Sequence, residues 1–176
     1  MKNIQTKYII ALLAEHPTEY IEVAHRLFST VQDQYITGPE SLPHITLCQF
    51  YTDNPTLEKI KQDIKSLSIF PQPHFNGIHF IKDPLPNLWG AEISVARDPA
   101  FIKYQNQFVN ILKKYHIHCI NDVGDLYRPH LTLARINHVV LDNFTDHILK
   151  DTSFILSIGR AGDLGQFIEV IETIKK

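Results

Sequence analysis

Two segments, LPHITLCQF at residues 42–50 and YRPHLTLARI at 127–136, each carry Pro-His-x-Thr-Leu. Their histidines, His44 and His130, stand 86 positions apart, close to half of the 176-residue chain. At this chain's own residue frequencies one copy is expected in roughly three chains per thousand and two far less often, so coincidence explains the pair poorly. Strand preference favours Thr and Leu but does not supply His twice. Residues two apart on a strand share a face. His44 therefore projects with Thr46 and His130 with Thr132, while Ile45, Leu47, Leu131 and Leu133 point to the opposite, apolar side. Continued alternation places Cys48 and Ala134 on the polar face, where their small size leaves room for a ligand.

An imidazole titrates near neutrality and serves as acid or base. Two of them on one cleft suit a reaction that removes one proton while delivering another, and two hydroxyls beside them suit the non-bridging oxygens of a phosphate. The matching chemistry is in-line hydrolysis of a phosphodiester: one histidine takes a proton from water, the other protonates the departing ribose oxygen. The motifs are equivalent in pattern, so they do not say which histidine takes which role. Arg128 and Arg135 are candidates to grip phosphate. Arg135 lies five positions after His130, so strict alternation faces it away unless the strand ends or bulges. Tyr127, Tyr51 and Trp89 are candidates for stacking a nucleobase. The arrangement requires no metal and no cofactor. His116 and His118 form an HxH without the carboxylate-rich continuation of a metal site, and the other histidines have no partner at ligand spacing. GRAGDLG at 159–165 is not a GxxxxGK[ST] cradle and reads as a hairpin loop, from which Arg160 could reach a ligand.

Positioning these groups requires strands braced by helices. KYIIALLAEHP reads as a buried strand ended by Pro17, followed by a helix over TEYIEVAHRLFSTVQDQY with Tyr20, Val23, Leu27 and Val31 on one face and Thr18 as N-cap. The first motif strand leads into NPTLEKIKQDIKSL, a helix with Leu57, Ile60, Ile64 and Leu67 aligned behind Asn54 and Pro55. FNGIHFI and LWGAEISVA read as strands separated by a proline-rich turn, and DPAFIKYQNQFVNILKKY as a helix capped by Asp98. KKYHIHCIND looks like a helix end entering a strand; after the second motif strand, LDNFTDHILK suggests a short helix and SFILSIGRAGDLGQFIEVIETI a pair of strands. The total is α+β with about seven strands.

With 44% hydrophobic and 20% charged residues the chain fits one domain over 1–176. Seventeen Lys and Arg against nineteen Asp and Glu leave a net charge of −2, which disfavours long nucleic acid or an anionic membrane and remains compatible with a small phosphorylated ligand. The apolar run Tyr8–Ala14 is too short to span a bilayer and no cleavage site follows it. Two cysteines without CxxC suggest neither a disulfide framework nor a zinc knuckle. The expected setting is cytoplasmic, with no membrane and no protein partner implied.

The doubled His-x-Thr, with the Tyr-Arg-Pro lead-in and trailing Ala-Arg of YRPHLTLAR, resembles the two-histidine (2H) phosphoesterase superfamily, especially its RNA 2′,3′-cyclic phosphodiesterases, also called 2′-5′ RNA ligase-like proteins. The resemblance implies a bilobal fold: two pseudo-symmetric lobes of antiparallel sheet with outer helices, one built from both ends of the chain and one from its middle, around a central cleft. It implies His44 and His130 as catalytic residues, Thr46 and Thr132 as phosphate ligands, and a small nucleotide or short RNA bearing a cyclic phosphate as substrate, opened to a 2′-phosphate. The first motif continues as Cys48-Gln49-Phe50-Tyr51, so the resemblance carries the reaction class and not one subgroup's substrate. Action on 2′-5′ linkages or ADP-ribose cyclic phosphate, a noncatalytic nucleotide-binding role, and a metal-dependent hydrolase are the competing readings.

Overall fold

Tyr8–Ala14 is apolar on both alternating sets of residues, as a strand with cover on both faces must be. In the computed structural model it lies inside β1 (Thr6–Ala14), with Tyr8, Ile10 and Leu12 in one core and Ile9, Ala11 and Leu13 in a second core across the sheet. The structure describes residues 5–67, 71–83, 86–139 and 153–174. After β1 come α1 (Thr18–Phe28), β2 (Gln32–Ile36), β3 (His44–Thr52), α2 (Asn54–Lys65), β4 (Phe75–Lys82), β5 (Trp89–Val95), α3 (Pro99–Lys114), β6 (His130–Ile136), β7 (Phe154–Ala161) and β8 (Phe167–Ile174). The fold is α+β, as expected, with eight described strands in one sheet ordered β4-β5-β6-β3-β1-β7-β8 and β2 added beside β6.

Every pairing is antiparallel, and the two halves of the sheet meet at a single register pair, Ile45 with Leu131. Beyond that pair β6 leaves β3 and takes β2 as its neighbour, with Gln32 opposite Ile136 and Ile36 opposite Ala134. The freed edge of β3 is met by the segment after α3, where Ile120 N donates to the Gln49 carbonyl at 2.8 Å. The sheet thus divides at the two motifs. One half holds β3, β1, β7 and β8 from the two ends of the chain; the other holds β4, β5 and β6 from its middle, joined by β2, which precedes β3 in the chain.

The helices brace this seam from the apolar side. Asp53 and Asp98 accept hydrogen bonds from Thr56 N and Phe101 N, with proline in the first turn of both α2 and α3. Helix α1 lies against β2 and β6, and α3 against β3 and α2. Among the described residues no helix is long and apolar enough to cross a membrane.

Three local expectations are corrected. Helix α1 stops at Phe28, because Gln32–Ile36 is drawn into the sheet as β2. Its N-cap is Pro17 and not Thr18, and no side chain caps it. KYHIHCIND forms no strand: Tyr115 and His116 close α3, His116 with φ 58°, and the chain then runs irregularly along β3. The helix expected at LDNFTDHILK lies outside the described residues.

Candidate active site

The two histidines are anchored in the same way. His44 Nδ1–H donates to the Leu42 carbonyl at 2.6 Å, and His130 Nδ1–H to the Arg128 carbonyl at 2.8 Å. A carbonyl only accepts, so each bond fixes Nδ1 as the protonated nitrogen and leaves Nε2 for the cleft. The prolines between anchor and histidine, Pro43 and Pro129, offer no N–H, while their carbonyls accept from Ala14 N and Val95 N at 3.1 Å each. Tyr127 joins the motifs: its hydroxyl donates to the Thr46 carbonyl at 2.7 Å and its ring stacks on Phe101. Arg97 holds the carbonyls of Tyr127 and Gly124, both at 2.9 Å.

A bulge at the same place in both motifs redirects the strands. Ala11 opposes Thr46 and Ile10 opposes Cys48, leaving Leu47 as the extra residue; Glu92 opposes Thr132 and Ala91 opposes Ala134, leaving Leu133 as the extra residue. An extra residue shifts the alternation by one. Cys48 and Ala134 consequently turn into the core with no exposed surface, which corrects their expected place on the polar face. Gln49 and Arg135 turn out beside the Thr residues and line the cleft. The condition set for Arg135, a bulged strand, is met.

The cleft has a volume of about 320 Å³, enough for a nucleotide-sized ligand. His44, Thr46 and Gln49 line one side; His130, Thr132 and Arg135 line the other. Arg135 is ion-paired with Asp83 through Nη1, while its buried Nε has no hydrogen-bond partner. The Tyr35 side chain on β2 is hydrogen-bonded to Thr132 and Arg135, and burial pushes its phenol up. Leu164 and Gly165, from the loop between β7 and β8, close the far end.

The histidines differ in their surroundings. His44 is 8% exposed, and Phe167 lies against it with ring centroids 5.7 Å apart. Burial lowers its pKa to about 4, opposed by the Leu42 and Gly165 backbone and reinforced by the charge of His130. His130 is partly open and has Glu92 Oε1 at 3.5 Å from Nε2; the other oxygen of Glu92 pairs with Arg128 Nη1.

The structure therefore brings six expected residues, His44, Thr46, Tyr127, Arg128, His130 and Thr132, to one cleft together with Arg135. Arg128 meets it while paired with Glu92, and Tyr127 as a wall whose hydroxyl is engaged. Tyr51, Trp89 and Arg160 do not line it; Tyr51 is exposed, Trp89 packs against the core, and Arg160 pairs with Glu169 at 3.2 Å. Sequence reasoning missed Tyr35, Gln49, Asp83 and Glu92. The offset of 86 between the motifs maps Arg135 onto Gln49, and a lone carboxylate inside LWGAEISVA was a signal for Glu92, since a buried charge needs a partner. Among the described residues no three His, Cys, Asp or Glu side chains are grouped to hold a metal ion.

Among solved structures the fold matches E. coli LigT complexed with 3′-AMP at a TM-score of 0.65, with 11% identity over 98% of this chain and 97% of that one. It matches a phosphoesterase at 0.58 with 11% identity, covering 98% of this chain and all of that one, and the MHV ns2 PDE domain at 0.51 with 13% identity, covering 95% and 99%. In sequence, 156 residues, 82% of the chain, are 25% identical to replicase polyprotein 1a of Berne virus, and the same is true of its replicase polyprotein 1ab. The match covers only 3% and 2% of those polyproteins. No family model matches the sequence.

Proposed function

We propose that this chain, which has the fold of the 2H phosphoesterases, is a phosphodiesterase that opens a 2′,3′-cyclic phosphate on a nucleotide or short RNA end to a 2′-phosphate. The observation that carries the reading is the pair of histidines, each tethered at Nδ1 with Nε2 left to the same cleft, each followed by a threonine on the same face. One imidazole accepts a proton from water as the water oxygen bonds to phosphorus. The other gives its proton to the 3′ oxygen as the phosphorus–oxygen bond breaks, so the step begins and ends with one proton shared across the pair. Thr46 and Thr132 donate to the non-bridging oxygens, and Arg135 faces the charge that collects there. The bilobal unit over 1–176 acts as a whole, since each half contributes one motif. The two free thiols, Cys48 and Cys119, suit a reducing, cytoplasmic setting.

The test is turnover of 2′,3′-cyclic AMP and of a short RNA ending in a 2′,3′-cyclic phosphate, with EDTA present and the product identified by phosphorus NMR. The expected result is a 2′-phosphate, lost by about a thousandfold in His44→Ala and in His130→Ala. Full activity in both variants would overturn the proposal, as would activity that EDTA removes and a divalent ion restores. Turnover confined to 2′-5′ linkages or ADP-ribose cyclic phosphate would keep the histidine pair and replace the substrate.

A further inference from the structure

Behind the β3 wall of the cleft lies a pair of thiols that the phosphodiester chemistry does not use. The bulge at Leu47 turns Cys48 into the core, where it has no exposed surface and its thiol is hydrogen-bonded to Cys119. Cys119 belongs to the irregular segment after α3; it is partly exposed, with the exposed His118 and Ile120 on either side. That segment is tied to the bulge. Ile120 N donates to the Gln49 carbonyl at 2.8 Å, Gln49 N to Asn121 Oδ1 at 2.7 Å, and Asn121 Nδ2 to the Leu47 carbonyl at 3.4 Å. The Cys119 thiol donates to the same Asn121 Oδ1 at 3.2 Å. Gln105, buried on α3, donates to the carbonyls of both Leu47 and Asp122, at 3.2 and 2.9 Å. The sulfur pair thus sits between Gln49 and Asn121, which both line the cleft, and close to Tyr127, whose hydroxyl holds the Thr46 carbonyl.

We propose that Cys48 and Cys119 are a peroxide-sensitive dithiol, closed by oxidation to a disulfide that displaces Thr46 and Gln49 and lowers turnover in the cleft. Only the effect on turnover rests on the phosphodiesterase reading above. The two thiols are suited to different parts of the reaction. The hydrogen bond from Cys48, helped by the backbone of Asn121 and Gln49, holds Cys119 below the ordinary thiol range against its burial; the same bond, and burial, push Cys48 well above it. The thiolate is the form that attacks peroxide, and Cys119 is both the more acidic and the more accessible of the two. Cys119, its proton released to solvent, bonds to one peroxide oxygen as the O–O bond breaks, which gives a sulfenic acid and a hydroxide that takes up a proton. The Cys48 sulfur then bonds to the Cys119 sulfur, and its own proton leaves with the displaced hydroxyl as water. The two sulfurs lose two electrons and the peroxide becomes two waters. A disulfide holds its sulfurs about 2 Å apart, closer than hydrogen-bonded thiols come. Cys48 lies two residues after Thr46 and one before Gln49, so the contraction is taken up in the bulge that aims both at the ligand.

The test treats the reduced full chain with hydrogen peroxide, removes the excess with catalase, and alkylates with iodoacetamide in denaturant. The expected wild-type product has a mass lower by two hydrogens, no alkylated cysteine, and a cross-linked peptide pair holding Cys48 and Cys119. The Gln49 backbone amide should move in nitrogen-15 correlation spectra, and kcat/KM for 2′,3′-cyclic AMP should fall about tenfold through displacement of the bulge. Dithiothreitol should reverse all three. Cys119→Ser, which keeps a donor for Asn121, is expected to match the reduced wild type before and after peroxide, and Cys48→Ala to stop at a Cys119 sulfenic acid that dimedone traps. Two alkylated cysteines after peroxide would overturn the proposal, as would a disulfide that leaves the Gln49 amide and kcat/KM unchanged, or a loss of turnover in Cys119→Ser as large as that of the wild type. A disulfide that moves the Gln49 amide in a protein that turns over no cyclic phosphate would support the dithiol and overturn the phosphodiesterase reading instead.

Discussion

Gln49 and Arg135 occupy one and the same position in the two halves of the sheet: each follows its motif threonine by three residues, and each is turned into the cleft by the bulge at the leucine between them. The symmetry of backbone is not matched by symmetry of charge. A neutral amide faces one side of the cleft and a guanidinium the other, so the anionic part of a ligand is drawn toward β6. Arg135 is already half-satisfied by Asp83, and its fork lets it hold that carboxylate and a phosphate oxygen together. Arg135→Lys should therefore raise KM for the cyclic phosphate by about tenfold with kcat changed less, while Gln49→Ala changes KM by no more than about threefold. Steady-state kinetics of both variants reads the difference.

His44 links the site to acid stability. Its ordinary value of 6.5 falls to about 4 on folding, so between those values the unfolded chain binds a proton that the folded chain refuses. The contribution is complete above about pH 6.5 and is lost as pH falls toward 4. From pH 7.5 to 4.5 the wild-type protein should lose about 2 kcal/mol that His44→Asn, which keeps a donor for Leu42, does not lose. Urea unfolding at each pH measures it. Asp63 and Glu172, held low chiefly by hydrogen bonds from Lys114 and Lys65, respond later, as pH falls through their ordinary 3.8 and 4.5.

What was legible in the sequence was the part that obeys one period. The motif strands, the helix behind Asp98 and Pro99, and the hairpin around Gly162 and Gly165 follow from alternation, from 3.6-residue spacing and from turn chemistry. The bulges break the period without announcing themselves, because Leu47 and Leu133 are ordinary strand residues and no glycine marks the site. Cys48 and Ala134 were misplaced for that reason. β2 escaped because Gln32–Ile36 is polar, mostly exposed and continues the spacing of the helix before it; its place is set by the edge of β6 that β3 vacates. Glu92 and Tyr35 reach the cleft by pairing across strands distant in sequence, which no local pattern records.

Gly159 is required by Phe167. A methyl group there would stand 2.3 Å from the Phe167 ring and 2.3 Å from the Glu169 carbonyl, one of them backbone that cannot yield cheaply. Phe167 in turn carries His44, by its ring and by its carbonyl, which accepts from Leu42 N at 3.1 Å. Gly159→Ala should cost about 1–3 kcal/mol of stability from overpacking. It should also lower kcat more than it raises KM, since His44 loses its seat while Thr132 and Arg135 are untouched. Denaturation midpoints together with kinetics check both halves; stability lost with kcat intact would mean that Phe167 covers His44 without orienting it.

Tyr35 offers the cleanest separation of hydroxyl from fold. It reaches the cleft from β2, the strand beside the bulged part of β6, and its side chain is hydrogen-bonded to Thr132 and Arg135 at once. A threonine hydroxyl rotates freely about its bond to carbon, and a partner on one side leaves it aimed at the other. Tyr35→Phe keeps the ring that fills the floor and removes only that partner. The expected outcome is a kcat lowered by about tenfold, a KM raised by a smaller factor through the loosened Arg135, and a thermal midpoint within a few degrees of wild type. Adding Thr132→Val to Tyr35→Phe should then cost no more than Thr132→Val alone, because the tyrosine acts through the threonine. An additive double variant would place Tyr35 in direct contact with the ligand instead.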